Sequence, residues 1–413
     1  MTTPAAALPT ARPTTRPVPQ PQYQRLLELW RRHRGWLWTD VVSVFLITRL
    51  ALVGVALFAS FFPTNPGYPI TSAAARGWHF TPVYLVDVWG RWDTGWYFDL
   101  IDHGYYVNGD VSTTPSNLGF YPLYPYLVKG LTALGPPALR SPGATLLMGV
   151  LVSNAFLLGG LVLVRQWVLH LLGDAAVARR TVLYLLLFPT AFFFSTFYTE
   201  STFLFFSVAA LYAAQRRAWG WACLAGAALT LSRPLGILIV VPLAWQYAEA
   251  ARWNLRHLRW DAAWFALLPA GLLAFFYWQY TLTGDFLATL HTRAAWSRTF
   301  SWPWGTLLNP QGVVGYITPL EQGLTLLFVG GALLALRRLP SLSLGLYALL
   351  LIAPPLFTGQ LTSTARYYLA VAPVFVVLAQ LGRHPTLDRA ITIGAVTAQA
   401  LLFFVWCLFY WVA

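Results

Sequence analysis

Apolar residues run along this chain in blocks of roughly 15 to 25, the length a helix takes to cross about 30 Å of hydrocarbon, and the blocks stay apolar on every face. A soluble helix keeps a polar stripe toward water. The pattern predicts eleven membrane spans, at about 41–62, 144–164, 181–196, 198–215, 218–232, 234–250, 262–280, 319–336, 342–358, 366–382 and 390–412. Residues 119–134 are apolar but broken by Pro, Gly and Tyr, which reads as an interfacial or re-entrant helix. The expected fold class is an all-α polytopic membrane protein with long loops at about 63–143 and 281–318.

Composition agrees, with 57% hydrophobic residues among 413 and only 10% charged. A net charge of +13 raises the question of nucleic acid, but the basic residues come in small clusters between apolar blocks rather than in one stripe. They read as topology signals. Alternating the spans puts Arg165, Arg179, Arg180, Arg216, Arg217, Arg252, Arg256, Arg259, Arg337, Arg338, Arg383 and Arg389 on the side of the N-terminus, which is then cytoplasmic. Both long loops and most acids fall on the other, extracytoplasmic side. Chemistry there has no direct access to cytoplasmic nucleotide sugars or ATP.

Residues 1–22, rich in Pro, Thr, Ala and Arg, have no apolar core and read as a disordered cytoplasmic tail; 23–413 read as one transmembrane domain. Cys223 and Cys407 both fall inside spans, so no disulfide framework or CxxC metal pattern is available.

The polar residues of the outer side carry the candidate chemistry. In RWDTGWYFDLIDHGYY, Asp93 on a helix shares a face with Trp89, Trp96, Tyr97 and Leu100, as a working carboxylate or as a solvated acid in an aromatic belt. Asp99, Asp102 and His103 have a spacing that suits metal ligands, but without a second cluster they read as a solvated helix face. Arg49, Glu200, Arg233 and Arg366 stand in or at the membrane, where a charge is costly and points to function; the plainer reading is pairing, of Glu200 with one arginine. Arginine's planar fork matches phosphate oxygens, so Arg233 and Arg366 are the first candidates for an anionic headgroup. His291 and Arg293 in the second loop would lie across the same face, and Tyr121, Tyr124 and Tyr198 would line a cavity with phenol faces and hydroxyls.

Taken in order, RWDTGWYFDLIDHGY, FYPLYPYLVKGL, FYTESTFLFFS, LSRPLGIL, HTRAAWSRTFSWPW and ARYYLAVAPVFVVLA resemble the bacterial branch of the PIG-V family, membrane glycosyltransferases of the GPI mannosyltransferase 2 type with the GT-C fold. The resemblance implies Asp93 as catalytic base and a polyprenyl-phosphate-linked sugar, commonly mannose, as donor. It implies no metal or other cofactor. Arg91, Trp92 and Tyr367, inside the matching pieces, join the expected substrate-binding set. Transfer is expected to be inverting, onto an acceptor hydroxyl of a glycolipid, cell-wall polymer or protein, at the outer face of a bacterial plasma membrane. A lipid or sugar transporter or flippase is the alternative, since intramembrane charges and Pro/Gly breaks suit it too.

Overall fold

The structure, a computed structural model, describes residues 35–66, 79–107, 109–257, 259–311 and 315–412, and every regular element among them is helical. The expected tail 1–22 lies outside the described residues, as do residues 67–78 of the first long loop. The main helices are α1 (Leu37–Ala59), α2 (Thr94–His103), α3 (Leu123–Ala133), α4 (Pro142–Leu172), α5 (Ala175–Leu187), α6 (Glu200–Gln215) and α7 (Trp219–Thr230). They continue as α8 (Pro234–Ala250), α9 (Trp260–Thr283), α10 (Thr318–Arg338), α11 (Leu342–Leu356), α12 (Thr364–Ala370), α13 (Ala372–Leu381) and α14 (Pro385–Cys407).

Five of these, α1, α4, α9, α10 and α14, are long and apolar enough to cross a membrane; α12 and α13, which meet at 82°, make a sixth if counted together. The other five predicted spans coincide with α5, α6, α7, α8 and α11, all shorter than the ~20 residues of a full crossing. Their shortness has a local cause. α6, α7, α8 and α11 each have one end at or beside residues that line a single cavity, and α5 stops at a proline.

The clearest case is the predicted span 181–196, which the structure corrects: α5 ends at Leu187, just before Pro189, and a tight turn at Ala191–Phe194 follows. The residue before a proline is pushed out of the helical region, and Phe188 is extended, with ψ 141°. Non-helical backbone at membrane depth survives only when its polar groups are met by protein. Here Gln399 of α14 donates to the carbonyls of Leu186 and Phe188, both at 3.0 Å, and Arg49 of α1 donates to Ser195 Oγ at 2.9 Å and to Ala191 O. The intramembrane Arg49 is thus structural.

Helices α6 and α13 form the interior, apolar on all sides as buried helices are. At Gly149 of α4 the packing leaves no room for a side chain: a Cβ there would stand 2.0 Å from the Phe197 ring and 2.9 Å from Tyr124 Oη. This close approach seats α3 against α4, with Tyr124 Oη donating to Gly149 O at 2.8 Å. The α3 helix, expected to be interfacial or re-entrant, packs between α2 and α4.

Candidate functional site

Asp93 is delivered by a short strap rather than by a helix. Asp87 is its anchor: the buried carboxylate accepts from Phe80 N–H at 2.7 Å and pairs with His79 and Arg91, each at 2.8 Å. Arg91 is fully buried, lies over the Phe409 ring at 3.9 Å, and faces away from solvent. Trp92 then takes a left-handed turn, φ 52°. One phenol spans that turn, since Tyr198 Oη donates to Arg91 O at 2.9 Å and accepts from Asp93 N–H at 3.1 Å. Asp93 occupies the N-cap position of α2, but its carboxylate caps nothing there. It is left for other work.

That carboxylate meets Arg366, Nη1 to Oδ2, at 2.8 Å, across 273 positions of chain. Arg366 also reaches Glu200, Nε to Oε1, at 3.4 Å, and Arg233 holds the same Oε1 at 2.7 Å. The result is a chain of alternating charge: Asp93, Arg366, Glu200, Arg233. Local sequence explains the placement. Glu200 opens α6, where a helix N-terminus favours an acid, and Arg233 precedes Pro234, which holds it extended at the mouth of α8. Arg366 lies over the faces of Tyr198 and Tyr367, 4.9 and 5.4 Å from the ring centres. The two acids differ in access. Asp93 keeps 21% of its side chain exposed and Glu200 1%.

A cavity of about 460 Å³ opens over this network. Asp93, Tyr97, Tyr121, Arg233, Arg293, Arg298, Arg366 and Tyr367 supply polar walls; Phe203, Leu235, Leu351, Pro354 and Ala370 extend it into apolar surroundings. Neither Arg293 nor Arg298 has a carboxylate at ion-pair distance among the described residues. Burial lowers the Arg293 guanidinium's pKa, opposed by nearby Tyr121 and Tyr367. Burial also pushes the Tyr121 phenol up to about 12 and raises Tyr97, so both face the cavity as neutral hydroxyls. A second cavity of about 390 Å³, lined by Ser112, His291, Phe300 and Phe357, shares Arg293, Arg298 and Thr358 with the first.

Of the residues singled out in the sequence, the structure brings Asp93, Tyr97, Tyr121, Arg233, Arg293, Arg366 and Tyr367 to the main cavity, with Glu200 directly beneath. Others stand off it. Arg91 and Tyr198 hold the strap, and Tyr124 bonds into α4. Trp92 packs edge-on against Trp411, and Trp96 stacks on Phe120. His291 pairs with Asp285 at 2.6 Å beside the second cavity. Asp99 departs from the expected solvated face: it is buried, accepts from Asn117 at 2.9 Å and pairs with His103 at 3.1 Å, because α2 turns that side under the loop. Among the described residues no group of three or more His, Cys, Asp and Glu side chains is placed to hold a metal. Arg298, expected only as part of the second loop across this face, is a cavity wall, and the residue that sequence reasoning left out is Glu321 behind it. Glu321 is an acid in an otherwise apolar block, so the rule that found Glu200 would have found it.

A family model described as Mannosyltransferase (PIG-V) matches residues 80–290, half of the chain. The matched stretch carries Asp93, Glu200 and Arg233; Arg293, Arg298 and Arg366 lie beyond it. A search of curated proteins found no match.

Proposed function

We propose a reaction for this chain, which belongs to the PIG-V mannosyltransferase family: inverting transfer of mannose from a polyprenyl-phosphate donor to an acceptor hydroxyl, with Asp93 as general base. The observation that carries it is the Asp93–Arg366 pair at 2.8 Å on the wall of a cavity with both cationic and apolar surfaces. In a single displacement the acceptor oxygen attacks the anomeric carbon and its proton passes to Asp93. The bond from that carbon to phosphate oxygen breaks, and the lipid phosphate leaves with the electron pair.

The electrostatics of the wall support this assignment. Four guanidiniums, of Arg233, Arg293, Arg298 and Arg366, outnumber the two carboxylates of Asp93 and Glu200, so the wall attracts a phosphodiester. As the donor bond breaks, the phosphate gains one negative charge while Asp93 loses one. Its pair with Arg366 weakens at that moment, and the guanidinium turns to the leaving phosphate. Glu200, sealed beneath two arginines, orients them. The apolar extension lined by Phe203, Leu351 and Pro354 suits the start of an isoprenoid chain.

The proposed orientation places this cavity outside the cytoplasm of a bacterial cell, with eleven spans of a GT-C-type fold and the acceptor a glycolipid, cell-wall polymer or protein. Metal-independent turnover belongs to the same reading. The test uses purified protein in nanodiscs with polyprenyl-phosphate mannose and a lipid extract from the native membrane. Asp93→Asn is expected to lower transfer about 10²- to 10⁴-fold while donor binding persists. Wild-type turnover in that variant would sink the assignment of the base, and undiminished turnover in chelator is expected of the wild type.

A further inference from the structure

Arg366 owes its position to a buried turn, and that turn is held by a carboxylate outside the cavity. Ser363 sits in the left-handed region at φ 71°, a conformation that strains any residue with a Cβ. Its N–H donates to Glu321 Oε1 at 2.7 Å, and its carbonyl accepts the N–H groups of Arg366 and Tyr367, each at 3.1 Å. The turn therefore starts the helix that carries Arg366. Glu321 is fully buried in the first turn of α10, and its Oε2 has no hydrogen-bond partner among the described residues.

The same turn is tied to the opposite wall. Arg298 donates to Thr362 O at 3.2 Å, and Gln360 donates to Ser297 O at 2.8 Å. One turn of α10 further on, Thr325 hydroxyl and Tyr368 hydroxyl lie 2.8 Å apart, so the helix grips both sides of Arg366. A buried acid with one oxygen unmet is costly, and packing alone would be served by leucine. The cost is offset where the carboxylate fixes a strained turn that places two cations.

We propose that Glu321 is a positioning residue for the transfer reaction, clamping the Leu361–Thr364 turn so that Arg366 meets Asp93 and Arg298 faces the cavity. This rests on the reading of Asp93 as base and Arg366 as phosphate ligand. The clamp is a matter of reach and hydrogen bonding, not of net charge, and two isosteric changes separate these. Glu321→Gln keeps an acceptor oxygen at the same reach and removes the charge. Glu321→Asp keeps the charge and draws the oxygen back by about 1.5 Å.

The experiment uses the full chain in nanodiscs, with polyprenyl-phosphate mannose as donor and a lipid extract from the native membrane as acceptor, measuring transferred mannose. Glu321→Gln is expected to keep most turnover, and Glu321→Asp to lose about 10- to 100-fold in kcat with a smaller change in KM. Glu321→Ala is expected to fall likewise, and Glu321→Ala with Ser363→Gly to recover, because glycine holds the left-handed turn unaided. The reverse order, Asp active and Gln inactive, would overturn the proposal, as would an active Glu321→Ala. A wild type that leaves the donor untouched would overturn the functional reading instead. The clamp would then be judged by cryo-EM, where it requires the 2.8 Å Arg366–Asp93 pair to persist in Glu321→Gln and to open in Glu321→Ala.

Discussion

Asp93 and Glu200 share the guanidinium of Arg366, but only one has room for a substrate oxygen. Glu200→Gln should therefore raise KM for the donor more than it lowers kcat, opposite to Asp93→Asn, in the same mannose-transfer assay. Arg366→Lys keeps the charge but loses the fork that touches both acids, and kcat should fall well below that of wild type. Arg91 makes the opposite case. Its expected role in binding came from its place beside Asp93 in the motif, and a sequence cannot tell which of two neighbouring polar residues turns inward. The left-handed turn at Trp92 does that, sending Arg91 to Asp87 and Asp93 to the cavity. Asp87→Ala leaves a buried guanidinium unpaired, so about 3–5 kcal/mol of stability should go, read as a large drop in the thermal midpoint.

At the scale of the element, apolar runs located the helices but not their ends. The block 181–196 is continuous in hydropathy, and only Pro189 marks the stop; the hydrogen bonds that make the break tolerable come from Arg49 and Gln399, far away in sequence. Gly149→Ala should overpack the α3–α4 contact, costing about 1–3 kcal/mol and lowering the thermal midpoint, because the methyl would meet Phe197 and Tyr124. Asp174 N-caps α5, accepting from Ala176 and Val177 at 2.9 and 3.0 Å. These N–H groups, Val177 first, together with Arg383, hold its carboxyl below the ordinary range. A depressed folded value stabilises above the unfolded pKa and is lost as pH falls through the folded one. Asp174→Ala should thus cost about 1 kcal/mol near neutrality and less once both forms are protonated, when only the neutral cap remains, as paired thermal melts across pH would record.

For the whole molecule, the class and the meeting of several polar residues at one cavity were legible, because charge in an apolar chain is rare enough to notice. The walls were less so: Arg298 and Trp411 reach the site through folding of remote segments that leave no periodic trace. The proposed orientation has a direct check, since Cys223 and Cys407 are both buried and the background is quiet. Cysteine at the exposed Thr113 should react with an impermeant maleimide on intact cells, and cysteine at the exposed Arg338 only after permeabilisation. The inverse pattern would turn the protein over. The distance between Asp93 and Arg366 along the chain bears on biogenesis as well. At about 5–20 residues per second, roughly 14 to 55 seconds separate their emergence from the ribosome. Throughout that interval the nascent protein holds its carboxylate without the guanidinium that completes it. In the proposed reaction, catalytic competence thus arrives with the final helices, and a stalled or truncated translation product is expected to be inert.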